Sequence, residues 1–274
     1  MSEITEVISK LKALDLTKYP YDEIRSLIPQ FGKFGLVEMT LHPGKILMRA
    51  HPNEGGVSFT ARPQLSYKPP EYNKNYQRAS TPNQTMFYAG VIPENIKKGE
   101  LDNARIVASV EASSLLRNKG LDGEQLITFS KWVVTKDIPL IALTYHKDFV
   151  DKSSHTEELY NAYHNWVKTL PEDLIEKSIE ITSFLAEEFA KRDIRGDYDY
   201  MISAIFSEIT VNKGRAGIYY PSVKADGMAY NVAIVPEVVD TSLKLLVAGE
   251  CTVYKKGEHT IVDNETVCEI EDDS

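Results

Sequence analysis

The chain has 274 residues, 42% hydrophobic, 26% charged and 9% aromatic, the profile of a folded globular protein and not of a disordered or collagenous one. Its 31 Lys and Arg stand against 40 Asp and Glu, and a net charge of -9 disfavours a protein whose whole surface grips nucleic acid or an anionic membrane. Cys251 and Cys268 form neither a CxxC pair nor half of a zinc site, which fits a reducing cytoplasm. The opening MSEITEVISKLKALDL lacks the basic start and apolar run of a signal peptide, and no stretch reaches the roughly 18 apolar residues of a membrane span.

Ile4, Val7, Ile8, Leu11 and Leu14 recur at three- and four-residue steps, which predicts an amphipathic helix over residues 4–15. Over residues 36–88, Pro43-Gly44, Pro52-Asn53, Gly55-Gly56, Pro63, Pro69-Pro70 and Pro82-Asn83 interrupt any helical period, and a loop this long is usually functional. Within it Lys45, Arg49, Arg62, Lys68, Lys74 and Arg78 outnumber Glu54 and Glu71, a basic island that suits an anionic ligand. Four runs, most of them rich in β-branched and aromatic residues, 85–89, 105–112, 125–134 and 140–145, are expected to form the central sheet.

The period then changes. Leu159, Tyr163, Trp166 and Leu170 fall on one helical face, and Leu174, Ile181, Leu185 and Phe189 on another. Pro171 opens the second helix; Glu172 and Asp173 occupy its first turn, and Lys191 and Arg192 its last before Gly196, the order a helix dipole favours. A third helix is expected over 198–210. Extended runs return at 217–220, 230–235, 243–247 and 252–254, and from Gly249 onward eight acids face only Lys255 and Lys256. This order predicts an α+β fold, a central mostly antiparallel sheet with flanking helices.

No GxxxxGK[ST], GxGxxG, GxSxG or HExxH occurs, so kinase, Rossmann and zincin readings fall. His42, His51, His146, His155, His164 and His259 include no i, i+4 pair and lie near no cysteine pair, so no metal site is expected.

Four segments stand out together: Met48-Arg49-Ala50-His51-Pro52-Asn53, then Gln77-Arg78-Ala79-Ser80-Thr81-Pro82-Asn83-Gln84-Thr85-Met86-Phe87-Tyr88-Ala89, then Ile106-Val107-Ala108-Ser109-Val110-Glu111-Ala112, then Gly217-Ile218-Tyr219-Tyr220-Pro221-Ser222-Val223 with Asn231-Val232-Ala233-Ile234. In this order, R…P…(F/Y)YA, V-x-x-VE, G-I-x-YPS and N-V-A resemble the RES domain, named for its arginine, glutamate and serine. The resemblance spans roughly residues 46–239 as an NAD-binding catalytic domain. It leaves 1–45 as an N-terminal helical extension and 240–274 as a C-terminal β-rich segment with an acidic tail, packed on or trailing the core. Two positions depart from the family pattern: Gln77 stands where a glycine is common, and Pro82-Asn83 where Pro-Gly is common.

RES domains are toxins of bacterial toxin–antitoxin pairs, neutralised by an Xre-type antitoxin, with a fold related to ADP-ribosyltransferases and an activity that consumes NAD. The resemblance therefore implies an ADP-ribosyltransferase-like core, NAD as substrate without a metal, water or phosphate as acceptor, and no direct nucleic-acid or membrane partner.

Such chemistry makes demands that these residues can meet. Breaking the nicotinamide–ribose bond passes through an oxocarbenium-like sugar, which a carboxylate stabilises, and Glu111 is the candidate. Arg49 and Arg78 suit the pyrophosphate, because guanidinium forks orient such an anion better than a point charge. Tyr88 offers an aromatic face to the cationic nicotinamide ring, and Ser222 a hydroxyl to the ribose or carboxamide. Singly, either arginine reads as a surface ion-pair partner and Tyr88 as a half-buried strand aromatic; their joint order carries the functional reading. Glu111, expected on a largely buried strand, needs a partner or a purpose. A protein mono-ADP-ribosyltransferase is the alternative, weakened because Ser109 stands where arginine-specific members carry a second glutamate. A nucleotide-binding regulator without turnover is the other.

Overall fold

The computed structural model describes residues 2–93, 97–98, 100–101, 103–118, 120–143 and 147–269. Ser2 accepts a hydrogen bond from the Thr5 amide and caps α1 (Glu3–Ala13), which buries the periodic Ile4, Val7, Ile8 and Leu11. Helix α2 (Tyr21–Leu27) follows, too short to leave a periodic signal. The proline-punctuated region holds β1 (Val37–Leu41), β2 (Ile46–Pro52), the single-turn α3 (Arg62–Leu65) and β3 (Phe87–Val91).

The run 105–112 is not a strand. It forms α4 (Ala104–Ala112), capped by the Asn103 side chain, which accepts from the Arg105 amide. Ala104, Ala108 and Ala112 favour this helix intrinsically, and Val107, Ala108 and Glu111 then share one face, a period that Ile106-Val107 alone conceals. Next come α5 (Ser114–Arg117), β4 (Gly123–Val134) and β5 (Ile138–Ala142). The expected continuation of that last strand through Thr144 and Tyr145, like His146, lies outside the described residues.

Helices α6 (Ser154–Val167), α7 (Glu172–Phe189) and α8 (Met201–Val211) match the three periodic segments, except that α6 ends at Val167 and leaves Leu170 past its end. Helix α7 stops at Phe189, so Lys191 and Arg192 sit just past its end rather than within its last turn. Strands β6 (Gly217–Pro221) and β7 (Tyr230–Ile234), α9 (Pro236–Ser242), β8 (Leu243–Lys256) and β9 (His259–Glu269) complete the chain. The runs 243–247 and 252–254 are thus one strand, which turns back through Gly257 at φ 58°. The acidic residues 271–273 of the tail lie outside the described residues.

Among the described residues nine strands lie in one sheet, in the order β1-β5-β6-β7-β3-β2-β4-β8-β9, antiparallel except for β5 and β6. Alternation sends Ile218, Tyr220 and Ala233 to the face covered by α1, α2, α7 and α8, and Tyr219, Val232 and Ile234 to the other, where they pack with Phe87, Trp132 and Val239. The protein is thus mixed α/β with a large, mostly antiparallel sheet. The weakest pairing lies near the middle of the sheet: β2 meets β3 only at Met48 and Gly90, whereas β2 pairs with β4 from Ile46 to Pro52 and β3 with β7 from Phe87 to Val91. No helix among the described residues is long and apolar enough to cross a membrane.

Gly217 opens β6 at φ 154°, where a Cβ would lie 2.0 Å from the Ala233 carbonyl oxygen on β7. Backbone cannot yield as a flexible side chain can. Gly217→Ala is therefore expected to destabilise the protein by at least about 2 kcal/mol in urea unfolding; a change under 0.5 kcal/mol would contradict the tight β6–β7 register.

Candidate functional site

The cleft opens where the sheet separates. Beyond Met48 and Gly90 the β2 and β3 ladders diverge, and α4 crosses the gap. Gly90 permits the crossing, since a Cβ there would stand 3.1 Å from Val107 Cγ1. The resulting cavity of about 390 Å³ is walled by residues that include Arg49, Arg78, Tyr88, Glu111, Tyr220 and Asn231, a size within the range of small-molecule sites.

Glu111 reaches the cleft because it falls one helical turn after Val107 and Ala108, on the α4 face turned to the sheet. Its Oε1 accepts two hydrogen bonds, from Ser222 Oγ at 2.5 Å and from Asn231 Nδ2 at 2.9 Å. Ser222 is fully buried, and its Oγ accepts from the Ala225 amide at 3.0 Å, which aims the hydroxyl hydrogen at the carboxylate. Its hydroxyl is therefore engaged by protein, and Ser222 holds Glu111 instead of offering its hydroxyl to a ribose or carboxamide as the sequence suggests. Oε2 of Glu111 makes no hydrogen bond to a described residue.

Arg49 sits on β2 at the split. Its Nε donates to His51 Nε2 at 2.7 Å, its Nη1 donates to the Tyr88 carbonyl on β3 at 2.9 Å, and its guanidinium lies 5.3 Å from the Phe87 ring centre. Burial lowers the Arg49 pKa to about 10, which still leaves the group charged at neutral pH. The same burial, with the adjacent guanidinium, drives His51 down to about 3. Neutral His51 then accepts from Arg49 through Nε2, which leaves the ring proton on its other nitrogen.

Tyr88 presents its ring to the cleft from β3, while its hydroxyl pairs with Ser80 Oγ at 2.7 Å and accepts from the Ala79 amide at 3.1 Å. Burial raises its pKa to about 12. Arg78 lines the cleft with its terminal nitrogens tied to backbone, Nη1 to the Phe189 carbonyl at 2.5 Å and Nη2 to the Lys191 carbonyl at 3.1 Å. Its guanidinium also lies 5.1 Å from the Tyr200 ring centre. Arg78 thus caps the end of α7, where carbonyls lack helical donors. In the same loop Asn83 has φ 62°, a conformation that glycine and asparagine tolerate best, so Pro82-Asn83 can make the turn that Pro-Gly would make.

Arg49, Arg78, Tyr88 and Glu111 therefore share one cavity, with Ser222 directly behind the carboxylate. The sequence assigned no role to Asn231, although it is the one amide in the wholly buried Tyr230–Ile234 strand and so needs a partner. Tyr220, from the G-I-x-YPS segment, also lines the cleft, as do Arg117, Lys224 and Tyr200, which nothing in the sequence spacing singled out. Of the other histidines, His42 pairs with Asp137 at 2.9 Å, His155 packs edge-on against Tyr230 and His164 lies tilted against Tyr160. Among the described residues no three His, Cys, Asp or Glu side chains cluster as metal ligands. No family model matches the chain, and no curated protein does either.

Because folded His51 stays neutral down to about pH 3 while the unfolded imidazole charges near 6.5, the unfolded state binds the extra proton as pH falls through that window. Stability from this group is full above about pH 6.5 and declines as acid is added. His51→Gln is expected to flatten the loss between pH 6.5 and 4 by roughly 1.4 kcal/mol per pH unit below 6.5, read by urea unfolding; parallel pH profiles for parent and variant would contradict the neutral, half-buried imidazole.

Proposed function

We propose that the cleft binds NAD and cleaves its nicotinamide–ribose bond, passing the ADP-ribosyl group to water or phosphate, in line with the RES-domain resemblance. The observation that carries this reading is the Glu111 carboxylate, fixed by Ser222 and Asn231 in a cleft that also presents four cationic side chains and three tyrosine rings. A sheet that splits between β2 and β3, with an arginine on one side of the gap and the α4 glutamate across it, supports assigning the core to the ADP-ribosyltransferase type.

In this reading the C1′–N bond breaks heterolytically and nicotinamide leaves with the bonding pair, neutral. The sugar is left as an oxocarbenium ion, which the Glu111 carboxylate stabilises through Oε2 while Oε1 stays bonded to Ser222 and Asn231. Water or phosphate oxygen then bonds to C1′ and releases its proton to solvent. The Tyr88 ring supplies the aromatic wall for the pyridinium, and Arg49 keeps an unneutralised cation at the split for the anionic portion of the substrate.

Transfer to protein is the weaker reading. Ser109, at the position of a second glutamate, is buried and donates its hydroxyl to the Arg105 carbonyl within α4 at 2.7 Å, so it has no acceptor-activating role in the cleft. A toxin role and an Xre-type antitoxin follow from the resemblance and predict growth arrest on expression.

Purified protein incubated with NAD, with and without phosphate, and resolved by chromatography tests the reading. Free ADP-ribose marks hydrolysis, ADP-ribose 1″-phosphate marks phosphorolysis, and label held on protein marks transfer. Glu111→Gln is expected to lower kcat by about 10²-fold or more, and a variant that consumes NAD at the parent rate would remove Glu111 from the chemistry.

A further inference from the structure

The cleft carries more positive charge than the assignments above use. Arg49, Arg78, Arg117 and Lys224 line it against the single carboxylate Glu111, in a chain of net charge -9. Two of these cations are built into the fold: Arg49 bridges β2 to β3, and the Arg78 fork closes on the Phe189 and Lys191 carbonyls.

The other two are differently placed. Lys224 stands two residues after Ser222 on the loop between β6 and β7, exposed at the cleft, and it makes no hydrogen bond or ion pair with a described residue. Arg117 uses only Nη1, which donates to the Glu111 and Val110 carbonyls at 2.6 and 3.3 Å and closes the end of α4, so its Nε and Nη2 remain unused among the described residues. Partial burial and the repulsion of Arg117 and Arg78 lower the Lys224 pKa against the pull of Glu111, so the ammonium sits among like charges without a counter-ion of its own.

We infer that Lys224 and Arg117, in place of Arg78 and together with Arg49, form the diphosphate-binding subsite of the cleft and make it selective for diphosphate-bridged nucleotides over nucleosides. A dianion between the two cations removes their mutual repulsion, with a fork on one side and a mobile point charge on the other. Arg117 closes the end of the helix that carries Glu111 and Lys224 lines the same cavity, so a diphosphate held between them shares the cleft with the carboxylate. The identity of the full substrate rests on the NAD reading, but the anion subsite does not.

The test uses the intact protein and two variants, Lys224→Ala and Lys224→Arg, titrated calorimetrically with inorganic pyrophosphate and assayed with NAD and with nicotinamide riboside, which lacks phosphodiester charge. Lys224→Ala is expected to weaken pyrophosphate binding and raise KM for NAD, each at least about tenfold, and to lower kcat/KM for NAD more than for the riboside, with Lys224→Arg close to the parent. Pyrophosphate binding that is absent from the parent, or unaltered in Lys224→Ala, overturns the subsite even if NAD is consumed. Lys224-dependent pyrophosphate binding without any NAD consumption leaves the subsite standing and removes the NAD reading instead.

Discussion

Beyond Met48 and Gly90 the hydrogen-bond ladder between β2 and β3 ends, and Arg49 spans the gap with a side-chain donor where a backbone donor would otherwise stand. The guanidinium reaches the Tyr88 carbonyl, rests against the Phe87 ring and takes the lone pair of a neutral His51. Its pKa falls to about 10 because no carboxylate compensates its burial among these partners, yet it remains protonated at neutral pH. A half-buried cation without a matching anion is costly to keep. The cleft forms at this split, so one residue both closes the sheet and leaves positive charge where the cavity begins.

Glu111 is positioned by the opposite strategy. Its carboxylate receives protein donors on one oxygen only, Ser222 from the β6–β7 loop and Asn231 from β7, residues more than a hundred positions away in sequence. Because the serine hydroxyl is itself oriented by the Ala225 amide, the carboxylate cannot rotate without losing a directed hydrogen bond. The serine and the glutamate therefore form a single unit, and a direct role for the serine is not needed to explain why it lies there.

Much of this was legible from the sequence, and the remainder was hidden for identifiable reasons. Long helices with broad apolar faces, α1, α6, α7 and α8, announce themselves because burial enforces a period of about 3.6 residues. Helix α4 does not, since Ile106-Val107 and Val110 are strand-prone residues in a nine-residue segment, and its Asn103 cap is a weaker signal than their β-branching. The error changed the element but not the residue, because a carboxylate among apolar neighbours needs a partner whether it lies on a strand or a helix. The roles of Ser222 and Arg78 were not legible, because both depend on donors and carbonyls brought in by chain reversal, at Ala225, Phe189 and Lys191.

The strand registers explain why scattered motifs converge. Asn231 lies opposite Gly90 on β3 and opposite Tyr220 on β6, and Tyr88 lies opposite Ala233. Gly90 contributes no side chain, so α4 can approach the sheet at Val107, and the helix brings Glu111 within reach of the Asn231 amide. Gly217 has the corresponding role on β6, where close approach to the Ala233 carbonyl locks that strand against β7 and so fixes Ser222 at its end. A side chain at either glycine would move one of the two donors that hold the carboxylate. The short motifs are spaced irregularly in sequence because each follows the strand that carries it, and the three strands meet around a single acid.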